Sequence, residues 1–245
     1  PIVTKDFTWT ASYNVAYNKN KITKLNNDGS YIETGGISSG RGNNCQVQAV
    51  GHPINSFYLF EQVYDKDGKP LEGVYVDQDK NGVINDDDRR IYHSKDPKVT
   101  MSFSSTFNWK NWDLGIAMHA NIGNYVYADA MSDHAVVDDC WKNGKLNNLI
   151  QTDYYFNGTV NPAVGIMKSD YWLRNASFLR CDNITLGHTW PYLLDNKMRL
   201  RLYGAVQNPF VITKYKGLDP EVASGIDRDV YPRATTFTIG VVASF

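Results

Sequence analysis

Apolar and polar residues alternate with a period of two over six stretches of this chain. Phe7, Trp9, Ala11, Tyr13, Val15 and Tyr17 alternate with Thr8, Thr10, Ser12, Asn14 and Ala16. Met101, Phe103, Ser105, Phe107 and Trp109 alternate with Ser102, Ser104, Thr106 and Asn108. Trp112, Leu114, Ile116, Met118, Ala120 and Ile122 alternate with Asp113, Gly115, Ala117, His119 and Asn121. The pattern returns from Trp172 to Trp190, broken around Arg180 and Asp182, then from Arg199 to Gln207 and from Thr236 to Phe245. Successive side chains of a strand point to opposite faces, so each stretch predicts a strand with one apolar, aromatic face and one polar face. The expected strands lie near 6–18, 99–109, 112–122, 172–190, 199–207 and 235–245. No helical periodicity competes with them; the segment from Ala130 to Leu149 is polar, contains Gly144 and reads as loop.

Such alternation fits a β-sandwich or a transmembrane β-barrel. Trp, Tyr and Phe at the strand ends favour the barrel, where an amphipathic ring is stable at the lipid–water interface. The connections point the same way. Lys110–Asn111 and Pro191 to Met198 are short, whereas Asn18 to about Val99, Gly123 to Tyr171 and Asn208 to Ala234 are long. Short turns at one end and long loops at the other is the asymmetry of outer-membrane barrels, and loops of this size are hard to place in a compact soluble domain. Six strands do not close such a barrel, because open edges in lipid leave backbone groups unpaired at several kcal/mol each. Partner strands are therefore expected from outside this chain. Its start at Pro1, without a Met or a targeting segment, and its stop at Phe245 inside an alternating run read as a piece of a longer protein.

Composition narrows the partners. Among 245 residues, 25 Lys and Arg balance 26 Asp and Glu, which argues against a nucleic-acid binder and an acidic tail. Mean hydropathy is −0.43 and no run approaches the ~18 apolar residues of a membrane-spanning helix, which excludes a helical membrane protein and leaves a barrel open. Cys45, Cys140 and Cys181 are far apart and lack C-x-x-C spacing, so zinc-ribbon and thioredoxin chemistry find no support.

The most specific local motif runs from Asp77 to Asp88. Asp77, Asp79, Asn81 and Asn85 place side-chain oxygens at positions 1, 3, 5 and 9 of a twelve-residue calcium loop. Gly82 supplies the turn, Val83 a backbone carbonyl, and Asp88 the closing acid in place of the usual Glu. Without flanking helices it is not an EF-hand, and an Asx-rich surface turn has the same composition. A bound Ca2+ would be structural. Gly36-Ile-Ser38-Ser-Gly40 matches a nucleophile elbow but no helix pattern follows it. His52, His93, His119, His134 and His188 have no metal-ligand spacing, and the adjacent Asp86, Asp87 and Asp88 need not converge as a glycosidase pair. Trp141, Tyr154, Tyr155, Tyr171 and Trp172 are candidate sugar-stacking rings, with loop packing as the alternative.

Several segments resemble one family. Val50-Gly-His-Pro-Ile-Asn-Ser-Phe-Tyr58, Gly73-Val-Tyr-Val-Asp77, Asp79 to Asn85, Tyr171 to Arg174 and Asp182 to Gly187 are similar to SusC/RagA TonB-dependent outer-membrane transporters. So are Asn208-Pro-Phe210, Tyr215-Lys-Gly-Leu-Asp-Pro-Glu221 and Tyr231-Pro-Arg233, followed by a last strand ending in Phe245. The resemblance implies an all-β fold, the C-terminal part of a barrel of about 22 antiparallel strands with long extracellular loops. The plug domain and N-terminal strands are absent from this chain. It further implies uptake of glycan or peptide fragments across the outer membrane of Bacteroidetes-type bacteria, with a SusD-like surface lipoprotein as lid. TonB–ExbB–ExbD would act through the missing N-terminal parts, and no catalytic residue is implied. Partners would be the remaining strands and plug, membrane lipid, and an oligosaccharide or peptide substrate. The competing reading is a soluble β-rich carbohydrate-binding module with a calcium loop; an esterase rests on Ser38 alone.

Overall fold

The alternating stretches form strands that pair largely with their neighbours in sequence, and the long connections fold into a second body at one end of them. The computed structural model describes residues 1–25, 31–38, 43–133, 141–146, 168–195, 197–228 and 230–245. Strands β1 (Ile2–Val3) and β2 (Phe7–Tyr17) come first. The first long connection holds β3 (Ile32–Gly36), β4 (Asn44–Gln48), β5 (Ser56–Leu59), β6 (Gln62–Tyr64), β7 (Pro70–Tyr75) and β8 (Arg90–Ser94). Then follow β9 (Val99–Trp109), β10 (Trp112–Ile122), β11 (Tyr125–Tyr127), the single-turn helix α1 (Asp129–Asp133), β12 (Trp141–Lys142) and β13 (Lys145–Leu146). The chain finishes with β14 (Leu173–Asn175), β15 (Phe178–Leu193), β16 (Met198–Thr213) and β17 (Thr236–Ser244).

One antiparallel sheet contains seven strands in the order β1-β2-β9-β10-β15-β16-β17. Its register aligns like with like. Trp9, Phe107, Leu114, Leu186, Gly204 and Ile239 form one row across six strands. The next row toward the short turns is Phe7, Trp109, Trp112, His188, Leu202 and Val241, an aromatic-rich belt. The opposite face carries Thr8, Asn108, Asp113, Gly187, Tyr203 and Gly240. Because the period is two, this register puts the whole apolar set on one side. That side is bare: Tyr13 is 60%, Phe237 76% and Ile239 84% exposed, and no second sheet covers it among the described residues. Its few polar atoms pair within it, as Trp9 Nε1 donates to Ser105 Oγ at 2.8 Å.

The short turn at Lys110–Asn111 and the turn at Leu194–Lys197 lie at one end of the sheet, where Ser244 also pairs with Arg199. At the other end the connections build a four-stranded sheet β3-β4-β5-β8, a hairpin β6-β7 and the pair β11-β14. Their shared core is Ile37, Cys45, Phe57, Leu59, Tyr127, Tyr171, Trp172 and Ile226, drawn from three connections far apart in sequence. This body is the main departure from the sequence reading, which left the connections as loops. Its strands run only three to six residues, too short for periodicity to separate from loop.

Two boundaries also move, and one helical turn appears. The strand expected from residue 172 begins at Phe178, because Ser169 caps a 3-10 turn over Asp170–Trp172 that buries Trp172 completely. The strand expected to stop at 207 continues to Thr213 through Asn208 and Pro209. There the register shifts between Cys181 and Asn183, so proline's missing N–H falls at a bulge in the ladder. Within the segment read as loop, Asp129–Asp133 forms one helical turn.

Candidate functional site

The bulge that breaks the alternation in β15 builds a charged cluster on the sheet's polar face. Asp182 is skipped by the pairing of β15 with both β10 and β16, which places its carboxylate 2.8 Å from Nδ1 of His119. On the same face Arg180 reaches Asp219 (Nη2–Oδ1, 2.7 Å), Glu221 (Nε–Oε2, 3.2 Å) and the side-chain oxygen of Asn208 (2.9 Å). Arg233 closes the cluster with Asp219 at 3.0 Å and Glu221 at 3.1 Å, while His119 Nε2 lies 3.3 Å from Glu221. Arg180 and Asp219 are 4% and 5% exposed. Charges so far from water persist only when paired, and here two guanidinium groups face three carboxylates and an imidazole. The cluster ties the connection after β16 to the polar face of the sheet. Beside it opens a polar cavity of about 380 Å³, lined in part by Lys95, Asn121, Asn124, Glu221 and Arg233.

Sequence reasoning did not assign this cluster, yet the signal was present. The period failed at Arg180 and Asp182, and a bulge that re-aims side chains is one physical reason for such a failure. The segments that carry the family resemblance supply the rest. Asp219 and Glu221 come from the Tyr215–Glu221 run and Arg233 from Tyr231–Arg233. Tyr215 in the same run donates its hydroxyl to Asp227 at 2.7 Å, and burial together with that carboxylate pushes its pKa up.

The predicted calcium loop lies between β7 and β8. Ligand oxygens of Asp77, Asp79 and Asp88 lie within 4.8 Å of one another. Asp77 accepts from the backbone N–H of Gly82 (2.8 Å) and Lys80 (2.6 Å), and these bonds hold its carboxyl below the usual carboxylate range. Gly82 at φ 83° makes the reversal that a side chain would strain. Asn81 accepts from Val83 N–H, and Asn85 caps the 3-10 turn Asp86–Asp88 by accepting from Asp87 N–H. Asp88, fully buried, accepts from Gln78 and Asn85. Arg89 anchors the exit: it pairs with Glu33 at 2.8 Å, donates to the Asn44 and Tyr58 carbonyls and lies over the Tyr58 ring. Three converging carboxylates are hard-oxygen donors of the kind Ca2+ takes, so Asp77, Asp79 and Asp88 fit that ion, while the side-chain oxygens of Asn81 and Asn85 accept from backbone N–H groups of the loop.

Other candidates resolve into structural roles. Ser38 donates its hydroxyl to Asp129 at 2.8 Å, and no His contacts it among the described residues. Tyr171 and Trp172 are buried in the core of the loop body, so neither offers a face to a sugar. Tyr154, Tyr155 and the side chain of Trp141 lie outside the described residues, as do Cys140 and His134. His93 stacks on Tyr125 at 3.7 Å, and burial and Lys98 lower its pKa.

No protein-family profile matches the chain. The TonB-dependent receptor SusC of Bacteroides thetaiotaomicron is 44% identical over 259 residues, an alignment that takes in 100% of this chain and 25% of the receptor. The TonB-dependent receptor P3 of Formosa agariphila is 28% identical, over 100% of this chain and 27% of the receptor. The RagAB peptide importer in its open-open state superposes with a TM-score of 0.75 at 27% identity, covering 99% of this chain and 27% of that one. In the closed-closed state the TM-score is 0.74 at 25% identity. The chain thus spans about a quarter of the length of the curated relatives it matches.

Proposed function

We propose a transport role for this chain, which is a segment of the SusC/RagA type of TonB-dependent receptor. Its seven-stranded sheet is one part of the wall of an outer-membrane barrel. The rest of the wall and the plug come from elsewhere in a complete receptor, which imports oligosaccharide or peptide fragments. The observation that carries this reading is the two-sided sheet. Its apolar face carries exposed Tyr13, Val15, Leu186, Leu202, Phe237 and Ile239, its polar face is turned the other way, and among the described residues neither β1 nor β17 has a second neighbour. In water such a face is a liability; in a bilayer it is the condition for insertion, provided further strands satisfy both edges. A soluble carbohydrate-binding module would bury this face, and the bare surface counts against it.

The loop body then lies at the extracellular end and meets a SusD-like lipoprotein, while the short turns face the periplasm, where TonB–ExbB–ExbD engages other parts of the receptor. The polar face and the cavity beside Glu221 and Arg233 border the route of the solute. The test is deletion of the complete receptor in its host, followed by uptake of labelled oligosaccharide and peptide pools. Loss of one uptake, restored by the gene, is the expected result. Recovery of the receptor in the soluble fraction would end the barrel reading.

Within the loop body, Asp77, Asp79, Asn81, Val83, Asn85 and Asp88 hold a structural Ca2+ that stiffens the 77–88 segment. The convergence of the three carboxylates supports this. Titration calorimetry of the receptor should show heat that disappears in Asp77→Ala plus Asp79→Ala; a parent protein with no heat removes the ion.

A further inference from the structure

Gly204 interrupts the apolar row Leu114, Leu186, Gly204, Ile239 where it crosses β16. The missing side chain opens a groove of about 520 Å³ on the outer face, lined by Trp112, Leu186, His188, Trp190, Leu202 and Ile239. Nothing in the fold demands glycine here. A Cβ at Gly204 would meet only the Thr238 carbonyl oxygen, at 4.0 Å. Gly187, on the polar face, is different: a Cβ there would lie 2.6 Å from both Arg201 and Asp113. A glycine inside a strand weakens it, so one without a steric reason marks a place where something else approaches the backbone.

The mouth of the groove is the aromatic belt. His188 stands edge-on to Trp112 (centroids 4.5 Å apart) and to Trp190 (4.3 Å). It is the one imidazole in its row, and its Nδ1 is buried with no hydrogen-bond partner among the described residues.

We propose that this groove holds one acyl chain of a phospholipid from the leaflet on the short-turn side, with the lipid's glycerol-ester region at His188. The proposal rests on the barrel reading, because the groove is continuous with the face that reading turns toward hydrocarbon. The lining side chains Trp112, Leu186, Trp190, Leu202 and Ile239 offer methyl groups and rings and no formal charge, which suits a hydrocarbon tail. Depth agrees. Leu202 pairs with His188 in the belt, and Gly204 lies two residues further along β16. At about 3.4 Å per residue and a tilt of about 40°, that is ~5 Å below the belt, inside the ~15 Å of one hydrocarbon leaflet. An ester oxygen belongs at the belt, beside the Trp112, His188 and Trp190 rings.

Gly204→Leu fills the groove with a residue at home in lipid and, given the open space, leaves the barrel intact. The complete receptor, extracted in mild detergent and supplied with dioleoyl phosphatidylethanolamine, is measured by native mass spectrometry. The wild type should retain one phospholipid after annular lipid is stripped, and Gly204→Leu should lower that occupancy at least tenfold. Heat-modifiable migration should be the same in both. Equal retention, or no retained lipid in a properly folded wild type, overturns the groove and leaves the barrel standing. A change of oligomeric state in Gly204→Leu without loss of lipid assigns the groove to a second protein copy and also overturns it. A receptor that shows no heat-modifiable barrel fails the parent reading instead.

Discussion

Replacing Asp219 with Ala should release the connection between β16 and β17 from the barrel wall without unfolding the barrel. Asp219 is 5% exposed and accepts from both Arg180, at 2.7 Å, and Arg233, at 3.0 Å; it also accepts from the backbone N–H of Glu221 at 2.8 Å. Removing one partner of a buried ion pair costs about 3–5 kcal/mol, because the other charge stays behind without compensation. Arg180 keeps Glu221 at 3.2 Å and Asn208 at 2.9 Å, so the lower end, about 3 kcal/mol, applies. At about 1.4 kcal/mol per tenfold, the open population of the segment rises roughly 100-fold. Hydrogen exchange on the complete receptor reads this directly. Amides around Leu218 to Glu221 should lose about 100-fold protection, while those of β9 and β10 stay unchanged. Arg180→Met combined with Asp219→Leu removes both charges and should recover much of the loss. Unchanged exchange at 218–221 in Asp219→Ala would refute the view that the cluster holds this connection.

Trp172→Ala should cost the loop body about 3–5 kcal/mol, since the indole is fully buried at the junction of its core, and limited proteolysis should then cut the loop body before the barrel. Gly240→Ala should destabilise the wall by about 1–3 kcal/mol, because its Cβ would run into the Tyr203 ring, which also carries the Arg201 guanidinium at 4.8 Å. Gly204→Ala, with open space, should be near neutral by the same heat-modification midpoint. Asp170 has its pKa raised, first by burial, although it accepts from Gln62 N–H at 3.0 Å. A carboxyl raised in the folded state binds its proton earlier than in the unfolded one, so folding gains stability as pH falls through that value and loses it as pH rises. Exchange at Tyr171–Leu173 should therefore slow, after correction for intrinsic rates, between neutral and mildly acid pH. Asp170→Asn should abolish that dependence.

The barrel wall was legible in the sequence because its physics is local. A strand with lipid on one side and water on the other must alternate at every residue, and Phe7–Tyr17 or Trp112–Ile122 state that rule without reference to any neighbour. The approach of the Asp77, Asp79 and Asp88 carboxylates was legible for the same reason, since chain spacing and the reversal at Gly82 bring them together. The loop body was not legible. Its core joins Cys45, Tyr127, Trp172 and Ile226, residues that no short window contains, and its strands are too brief to show a period. Nor was the charged cluster. Sequence marks the place where β15 breaks its rhythm, but only the paired register of β10, β15 and β16 turns Asp182 toward His119 and brings Asp219, Glu221 and Arg233 onto Arg180. Periodicity determines which face of a strand a residue occupies; which distant residues share that face depends on pairings between strands, and those exist only in the folded sheet.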